Sequence, residues 1–325
     1  MEFSVIVLNW NGREHLGTCF GALAAQTFRD FETIFVDNGS SDNSIEYMRR
    51  EFPWVRVVVL ENNRGFSGGN AAGVAIAEGR AIVLLNNDTR PEPDWLEMLW
   101  RCAQLHPDVG VIASHLTDWD GLKTDSAGDG CRVTGRGFGR HRGFAAATAP
   151  ASGPVFGACG GAAFYRRELI EDIGFLDEDF FLGFEDSDFA FRAQLRGWSA
   201  WFCREAVVRH RMSATQGNWT EINVYHGARN HLWVCIKNMP GRLLALYGPL
   251  MVGEVLAMAM AACLRGRGWA YLRGVGAGFR GIPGMWRKRR SVQCGRRLSQ
   301  AALAGKLDGL RFTSRGLRRM LGAKE

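Results

Sequence analysis

The sequence predicts an α/β protein built on a doubly wound, largely parallel sheet. Three βα-like units open the chain, and a fourth oily strand follows them. That strand, Ile82-Val83-Leu84-Leu85-Asn86-Asn87-Asp88, stops abruptly on two amides and a carboxylate. An unbroken apolar run of this length suits a strand covered on both faces, as parallel sheets require. Strands alternating with helices imply the winding. In such sheets, ligands bind beyond the carboxyl ends of the strands, where these polar residues stand.

Residues 4–8 form the first expected strand, followed by the turn Asn9-Trp10-Asn11-Gly12 and a helix to about Gln26. Residues 31–36 form the second strand, and Asp37-Asn38-Gly39-Ser40-Ser41-Asp42 leads into a helix over 43–51. Ser41 or Asp42 supplies its N-cap. A third strand covers 55–60, a glycine-bearing loop covers 61–69, and a helix over 70–78 precedes the strand 81–85. Pro91-Glu92-Pro93-Asp94 starts a helix over 95–105, and 109–113 reads as a strand. Residues 117–153 lose periodicity, which marks a functional flap or a structureless loop. Order returns at 157–165, with helices at 167–173 and from the acidic cluster Glu185-Asp186-Ser187-Asp188 to Arg196, closed by Gly197. Two short strands, 198–202 and 206–210, follow, and the chain turns helical from Leu243.

The chain has 325 residues, of which 46% are hydrophobic and 22% charged, enough for a full core and too apolar for disorder. Its eight cysteines form no C-x-x-C pair and no zinc-ligand spacing, so they read as reduced thiols of a cytoplasmic protein. The start of the chain has no basic, apolar and cleavage-site pattern, so no signal peptide is expected. Charge is uneven. Residues 264–325 carry 16 Lys and Arg against 2 Asp and Glu, so with a net charge of +7 overall the remainder carries −7. A basic tail of that kind implies an anionic partner, either a membrane surface or a nucleic acid.

Asp88 is the leading candidate for chemistry: a hard oxygen ligand for Mg²⁺ or Mn²⁺ at a strand end, or else a cap for the next helix. Asn86 and Asn87 either orient it or touch a ribose. Asp37 either accepts hydrogen bonds from a nucleotide or simply closes its own turn. Trp10 either stacks on a base or packs in the core. Arg64 either meets a base or phosphate or stays in solvent. The surrounding Gly65, Gly68 and Gly69 lack the G-x-G-x-x-G spacing, which disfavours a dinucleotide-dependent oxidoreductase. One acid suffices to cap a helix, yet Glu185, Asp186 and Asp188 crowd one N-terminus. Their repulsion would raise a pKa and create a base. His210 ends a strand as either a structural side chain or a metal ligand.

Several segments occur together in order: Ser4-Val5-Ile6-Val7-Leu8-Asn9-Trp10-Asn11-Gly12, Val36-Asp37-Asn38-Gly39-Ser40, Asn63-Arg64-Gly65-Phe66-Ser67-Gly68-Gly69-Asn70 and Leu85-Asn86-Asn87-Asp88-Thr89. Gly174-Phe175-Leu176-Asp177-Glu178-Asp179-Phe180-Phe181, Glu185-Asp186 and Arg192 follow. Over about 3–240 this set resembles glycosyltransferase family 2, of GT-A fold, and its rhamnosyltransferase-like branch in particular. The resemblance implies a GT-A-like doubly wound mixed sheet and inverting, metal-dependent sugar transfer from a nucleoside diphosphate to a hydroxyl. It implies Asp88 and His210 as ligands of Mg²⁺ or Mn²⁺, and Asp186 as catalytic base with Glu185 on the acceptor side. Trp10, Asp37, Arg64, Asn86 and Asn87 would contact the nucleotide sugar. Asn86 and Asn87 replace the acidic residues usual in the family's D-x-D-like motif, which leaves one carboxylate for the metal.

The expected organisation is a catalytic domain, 1–240, and a helical, basic, membrane-associating extension, 241–325. Residues 243–263 approach the length of a membrane span but contain Glu254, Gly248, Pro249 and Gly253, which disfavours crossing and leaves a helix docked on the surface, or an ordinary packed helix. Trp269, Tyr271, Phe279 and Trp286 interleave with arginines, as anionic headgroups require. The expected partners are a nucleoside-diphosphate sugar, a glycan or lipid-linked glycan acceptor and an anionic membrane, with no nucleic acid. The expected location is the cytoplasmic face of the cell membrane. The rival is a non-catalytic nucleotide-sugar-binding scaffold at that surface.

Overall fold

The computed structural model describes residues 1–211 and 219–309. The opening units form as β1 (Phe3–Asn9), α1 (Arg13–Ala24), β2 (Phe31–Asp37), α2 (Ser44–Glu51), β3 (Arg56–Val59), α3 (Gly65–Val74) and β4 (Ala81–Asn86). β1 lies between β2 and β4, parallel to both, and β3 extends the same parallel set. Helix α1 buries Leu16, Cys19, Phe20 and Leu23, the one-face spacing of an amphipathic helix. Helix α3 begins five residues before its expected start, inside the glycine-bearing segment. Close packing explains those glycines. A Cβ at Gly69 would stand 2.4 Å from Leu8 Cδ1, and one at Gly73 would stand 2.7 Å from Ile6 Cγ2. The helix therefore presses its backbone onto β1.

The second half is mixed. β5 (Thr89–Pro91), α4 (Trp95–Leu105) and β6 (Val109–Thr117) lead into β7 (Thr124–Ala127), β8 (Asp129–Cys131), β9 (Gly137–Gly139), β10 (Gly153–Val155) and β11 (Ala162–Arg166). The stretch read as aperiodic, 117–153, is thus not structureless: β7 pairs with β6, and β8 with β9. Its strands are too short to show alternation in sequence. After α5 (Arg167–Ile173) and α6 (Glu185–Arg196) comes β12 (Ser199–His210), a single strand where two were expected. A register shift between Cys203 and Val207 makes it look divided. The principal sheet has ten strands in the order β10-β12-β6-β11-β4-β1-β2-β3, with β5 on β12 and β7 on β6. β11 runs antiparallel between β4 and β6, so the sheet is mixed.

Helix α7 (Glu221–Asn238) had no clear sequence signal, and α8 (Gly241–Leu264), α9 (Gly268–Cys294) and α10 (Gln300–Lys306) complete the described chain. Phe180, Ala190, Phe191 and Leu195 share a core cluster with Trp233, Val234, Met239, Leu243, Met251 and Met285. Buried charge reinforces this seam. Lys237 Nζ lies 2.6 Å from Asp177 Oδ2 and 2.8 Å from Asp188 Oδ1, while Arg192 lies 2.8 Å from Asp188 Oδ2. Burial opposes ionisation of Asp188, but the Lys237 and Arg192 charges overcome it and hold its pKa at about 2. Because that pKa is depressed, the stabilisation is complete above the unfolded value and lost as pH falls through about 2. Lys237→Met removes the cation shared by two carboxylates, leaving Asp188 to Arg192 and Asp177 to Lys288, and should cost about 3 kcal/mol at neutral pH. A urea midpoint equal to that of the wild type would show the network to be dispensable.

Candidate active site

The carboxyl ends of β1, β2 and β4 meet at one side chain. Asn9, fully buried, places Nδ2 3.0 Å from Ser44 Oγ, 3.2 Å from Ser40 Oγ and 3.4 Å from Asp37 Oδ1. Its Oδ1 accepts from Asn87 Nδ2 at 2.7 Å. Asp37 also accepts from the Ser40 N–H, and Asp42 accepts from the Arg13 and Ser44 N–H groups at the starts of α1 and α2. Asp42 therefore serves both helices, although the N-cap position of α2 belongs to Asn43. Asn9→Ala leaves the Asn87 amide and Asp37 short of partners and should lower stability by about 2 kcal/mol. Chemical denaturation with an unchanged midpoint would contradict this.

Beyond those ends lies a cavity of about 330 Å³. Trp10, Asn86, Asn87, Asp88 and His210 line it, with Asn38, Asn63, Phe66, Ile222 and Asn223 among the other residues. Trp10 is exposed at its rim and available to stack. Asp88 caps no helix: it occupies the turn between β4 and β5, 5% exposed. Its Oδ1 is buried with no hydrogen-bond donor. His210, last residue of β12, is brought there by pairing with Thr89. Its Nε2 stands 3.4 Å from Asp88 Oδ1, and its Nδ1 stands 2.8 Å from Asp125 Oδ2. Burial disfavours the charged imidazole, but Asp125 and Asp88 outweigh it and raise its pKa to about 9.

The other expected residues stand around the cavity without lining it. Asp37 is completely buried under Asn38. Arg64 pairs with Glu178 Oε2 at 2.7 Å, while its backbone N–H donates to Asn38 Oδ1. Glu185 and Asp186 open α6 without capping it, since Phe184 takes the N-cap position with a left-handed backbone and no capping hydrogen bond. Asp186 Oδ2 accepts the Gly160 N–H at 3.0 Å, and its Oδ1 has no partner. A Cβ on Gly160 would stand 2.8 Å from that Oδ1 and 2.9 Å from Phe66 Cζ, so Asp186 and the cavity wall flank the same glycine. The next residue, Gly161, accepts the Asn86 N–H at 2.9 Å. Asp186 and Asp88 are thus joined through adjacent backbone segments.

Burial raises the Asp186 pKa to about 7, the Gly160 N–H opposing and Asp129 adding to the rise. Burial, followed by repulsion from Asp186, holds the Glu185 carboxyl well above the usual range. Sequence reasoning missed Asp125, which lies in the aperiodic stretch, and Ile222 and Asn223, at the start of the unexpected α7. A lone acid between Thr124 and Ser126 carries no pattern that could have revealed it.

The mixed sheet, with its cavity beyond the carboxyl ends of the parallel strands, has the GT-A arrangement. The sequence profile of "Glycosyl transferase family 2" matches residues 4–174, more than half of the chain, and the chain belongs to that family. It is 33% identical over 124 residues to an uncharacterised glycosyltransferase of Nostoc sp., covering 37% of this chain and 38% of that one. It is 25% identical over 238 residues to the N-acetylglucosaminyl-diphospho-decaprenol L-rhamnosyltransferase of Mycobacterium tuberculosis, covering 66% and 77%. Matches to the Nostoc, Escherichia coli and Streptococcus pneumoniae relatives span only 34–40% of those proteins. Among solved structures, S. aureus TarS 1-349 superposes with TM-score 0.53 at 16% identity, over 90% of each chain. The Pyrobaculum calidifontis mannosyltransferase PcManGT, in complex with GDP-Man and Mn²⁺, gives 0.53 at 15% identity, covering 99% of this chain and 88% of that one.

Proposed function

We propose that this chain is an inverting glycosyltransferase that moves a sugar from a nucleoside diphosphate to a hydroxyl of a glycan or lipid-linked glycan in cell-surface polysaccharide synthesis. The observation that carries this reading is the donorless, buried Asp88 oxygen facing an imidazole nitrogen inside the strand-end cavity. A carboxylate oxygen suits Mg²⁺ or Mn²⁺, and the added imidazole nitrogen favours the transition metal, Mn²⁺, of the two. Among the described residues no group of three or more His, Cys, Asp or Glu is placed to hold a metal. Asp88 and His210 would hold it, with donor phosphates completing the shell, a common arrangement for Mg²⁺. When bound, the cation neutralises the leaving diphosphate, so no general acid is needed.

Trp10 stacks on the base in this reading, and Asn86 and Asn87 orient Asp88 and the ribose. Asp37 and Arg64 act through the neighbouring Asn38 and Asn63, which line the cavity. Asp186 takes the acceptor proton as the new bond forms at the anomeric carbon. The old bond breaks on the opposite face, its electron pair leaving with the diphosphate, and configuration inverts. Glu185, whose charged form burial disfavours, remains on the acceptor side. A rhamnosyl donor is favoured by the name of the mycobacterial relative. Asp186 is competent only when ionised, so transfer should fall about tenfold per unit as pH drops below about 7. Asp186→Asn should abolish transfer with donor binding intact. Near-wild-type turnover by this variant would remove Asp186 from the role of base.

We place catalysis in residues 1–240 and membrane association in 241–325, of which 310–325 lie outside the described residues. Helix α8 is long and apolar enough to cross a membrane. Its central charge, Glu254, turns inward onto Arg136. Leu246, Leu250, Leu256, Met260 and Leu264 face out. On α9, exposed Leu272, Phe279 and Trp286 recur every seven residues, beside a second row formed by Arg273, Arg280 and Arg287. Arg273 lies over the Tyr225 ring, 5.9 Å from its centroid, and Arg280 Nε donates to the Gly276 carbonyl. An apolar row beside a cationic one supports docking in the plane of an anionic leaflet. The protein should float with phosphatidylglycerol vesicles and less with phosphatidylcholine. The triple variant Arg273→Glu, Arg280→Glu, Arg287→Glu should lose that preference. Equal flotation on both lipids by the unaltered chain would contradict docking by charge.

A further inference from the structure

We propose that Asp125 is the positioning residue of the cation site: it fixes the His210 ring so that Nε2, and not Nδ1, is presented to the ion beside Asp88. The inference rests on the reading of Asp88 and His210 as ligands and extends it to a residue outside the cavity lining.

Asp125 stands on β7, which pairs with β6 through His115↔Ala127 and Leu116↔Ser126. This pairing carries its side chain, 4% exposed, to the back of the His210 ring. One carboxylate oxygen, Oδ2, lies 2.8 Å from His210 Nδ1. The other, Oδ1, lies 2.9 Å from the Arg142 guanidinium, whose Nε also donates to the Asp125 carbonyl at 2.9 Å. The carboxylate is therefore held at both oxygens and cannot turn freely. The adjoining residue contributes too: Ser126 Oγ lies 2.9 Å from Asp129 Oδ1 and 3.0 Å from the Gly128 carbonyl, two acceptors that share its one proton. Gly128 has φ +74°, a turn that a side chain would strain. The segment is rigid where the carboxylate leaves it.

The chemical consequence follows from the imidazole itself. A neutral ring carries one N–H and one lone pair, and a partner at one nitrogen decides which end is which. A carboxylate accepts and does not donate, so Asp125 requires the proton on Nδ1. When a cation displaces the other proton, the lone pair is therefore on Nε2, the nitrogen 3.4 Å from Asp88 Oδ1. With only two protein ligands, a ring free to turn would leave one. Partners behind metal-ligating histidines characteristically contribute 10- to 100-fold in affinity, on the order of what is expected here.

The test titrates the full chain with Mn²⁺ alone, following free ion by electron paramagnetic resonance and bound ion by water-proton relaxation. Unaltered protein, Asp125→Ala, Asp125→Asn and His210→Ala are compared, each checked for folding by its thermal midpoint. Asp125→Ala should raise the Mn²⁺ dissociation constant by roughly 10- to 100-fold. Asp125→Asn retains an oxygen that can accept from Nδ1 and should recover most of that loss. This rescue separates positioning from mere loss of negative charge. If Asp125→Ala does not fold, the near-isosteric Asp125→Leu, which offers Nδ1 no acceptor, takes its place with the same loss expected. Wild-type affinity in Asp125→Ala (or in Asp125→Leu) while His210→Ala loses the ion overturns the inference and leaves the ligand assignment standing. Wild-type affinity in His210→Ala, or no binding by the unaltered protein, sinks the ligand assignment itself and this inference with it.

Discussion

A buried carboxylate oxygen whose one polar neighbour is an imidazole nitrogen 3.4 Å away is the feature on which the site depends. Asp88 Oδ1 is buried and unsatisfied, a condition that costs free energy unless something cationic offsets it. In the free protein that cation is the His210 ring, whose pKa of about 9 leaves it charged at neutral pH between two carboxylates. A divalent ion occupying the same gap would replace the proton. The polypeptide thus balances Asp88 with an imidazole that can give up its proton, instead of with a permanent lysine or arginine.

Three distant segments must converge to keep that gap open. The parallel set β4-β1-β2 brings Asn86, Asn87, Asn9 and Asp37 to one edge, where Asn9 joins them. Antiparallel pairing of β12 with β5 delivers His210 beside the Asp88 turn. The hairpin-like strand β7 then closes the back of the ring. On the other side of Asn86, Gly160 and Gly161 link the same edge to the N-terminus of α6. Without side chains, they allow Asp186 and Phe66 to approach from either flank. Burial there, rather than a neighbouring charge, is the largest influence on the Asp186 pKa.

The parallel half of this arrangement was legible because its strands are continuous apolar runs and its helices bury one face. The fold class, the α4, α5 and α6 segments and the prominence of Asp88 followed from that regularity, and the family membership is borne out by the profile match. What stayed hidden has a common physical cause: order maintained by polar groups. Helix α7 buries Asn230, His231, Lys237 and Asn238, so its inner face does not look like an inner face. The glycine-rich start of α3 looked like a loop because close backbone packing and turn formation use the same residue. Asp125 is one acid in strands too short to display alternation. Glu254 seemed to spoil an apolar helix, yet it faces Arg136 and leaves the outer surface apolar.

The central claim is that Asp88 and His210 converge on one divalent ion. Crystals grown with Mn²⁺ and a nucleoside diphosphate, examined by anomalous scattering at the manganese edge, address it directly. The account predicts a single strong peak about 2.1 Å from both Asp88 Oδ1 and His210 Nε2, with Asp125 still on Nδ1. A manganese peak bound to phosphate alone, with the Asp88–His210 gap closed, would contradict it.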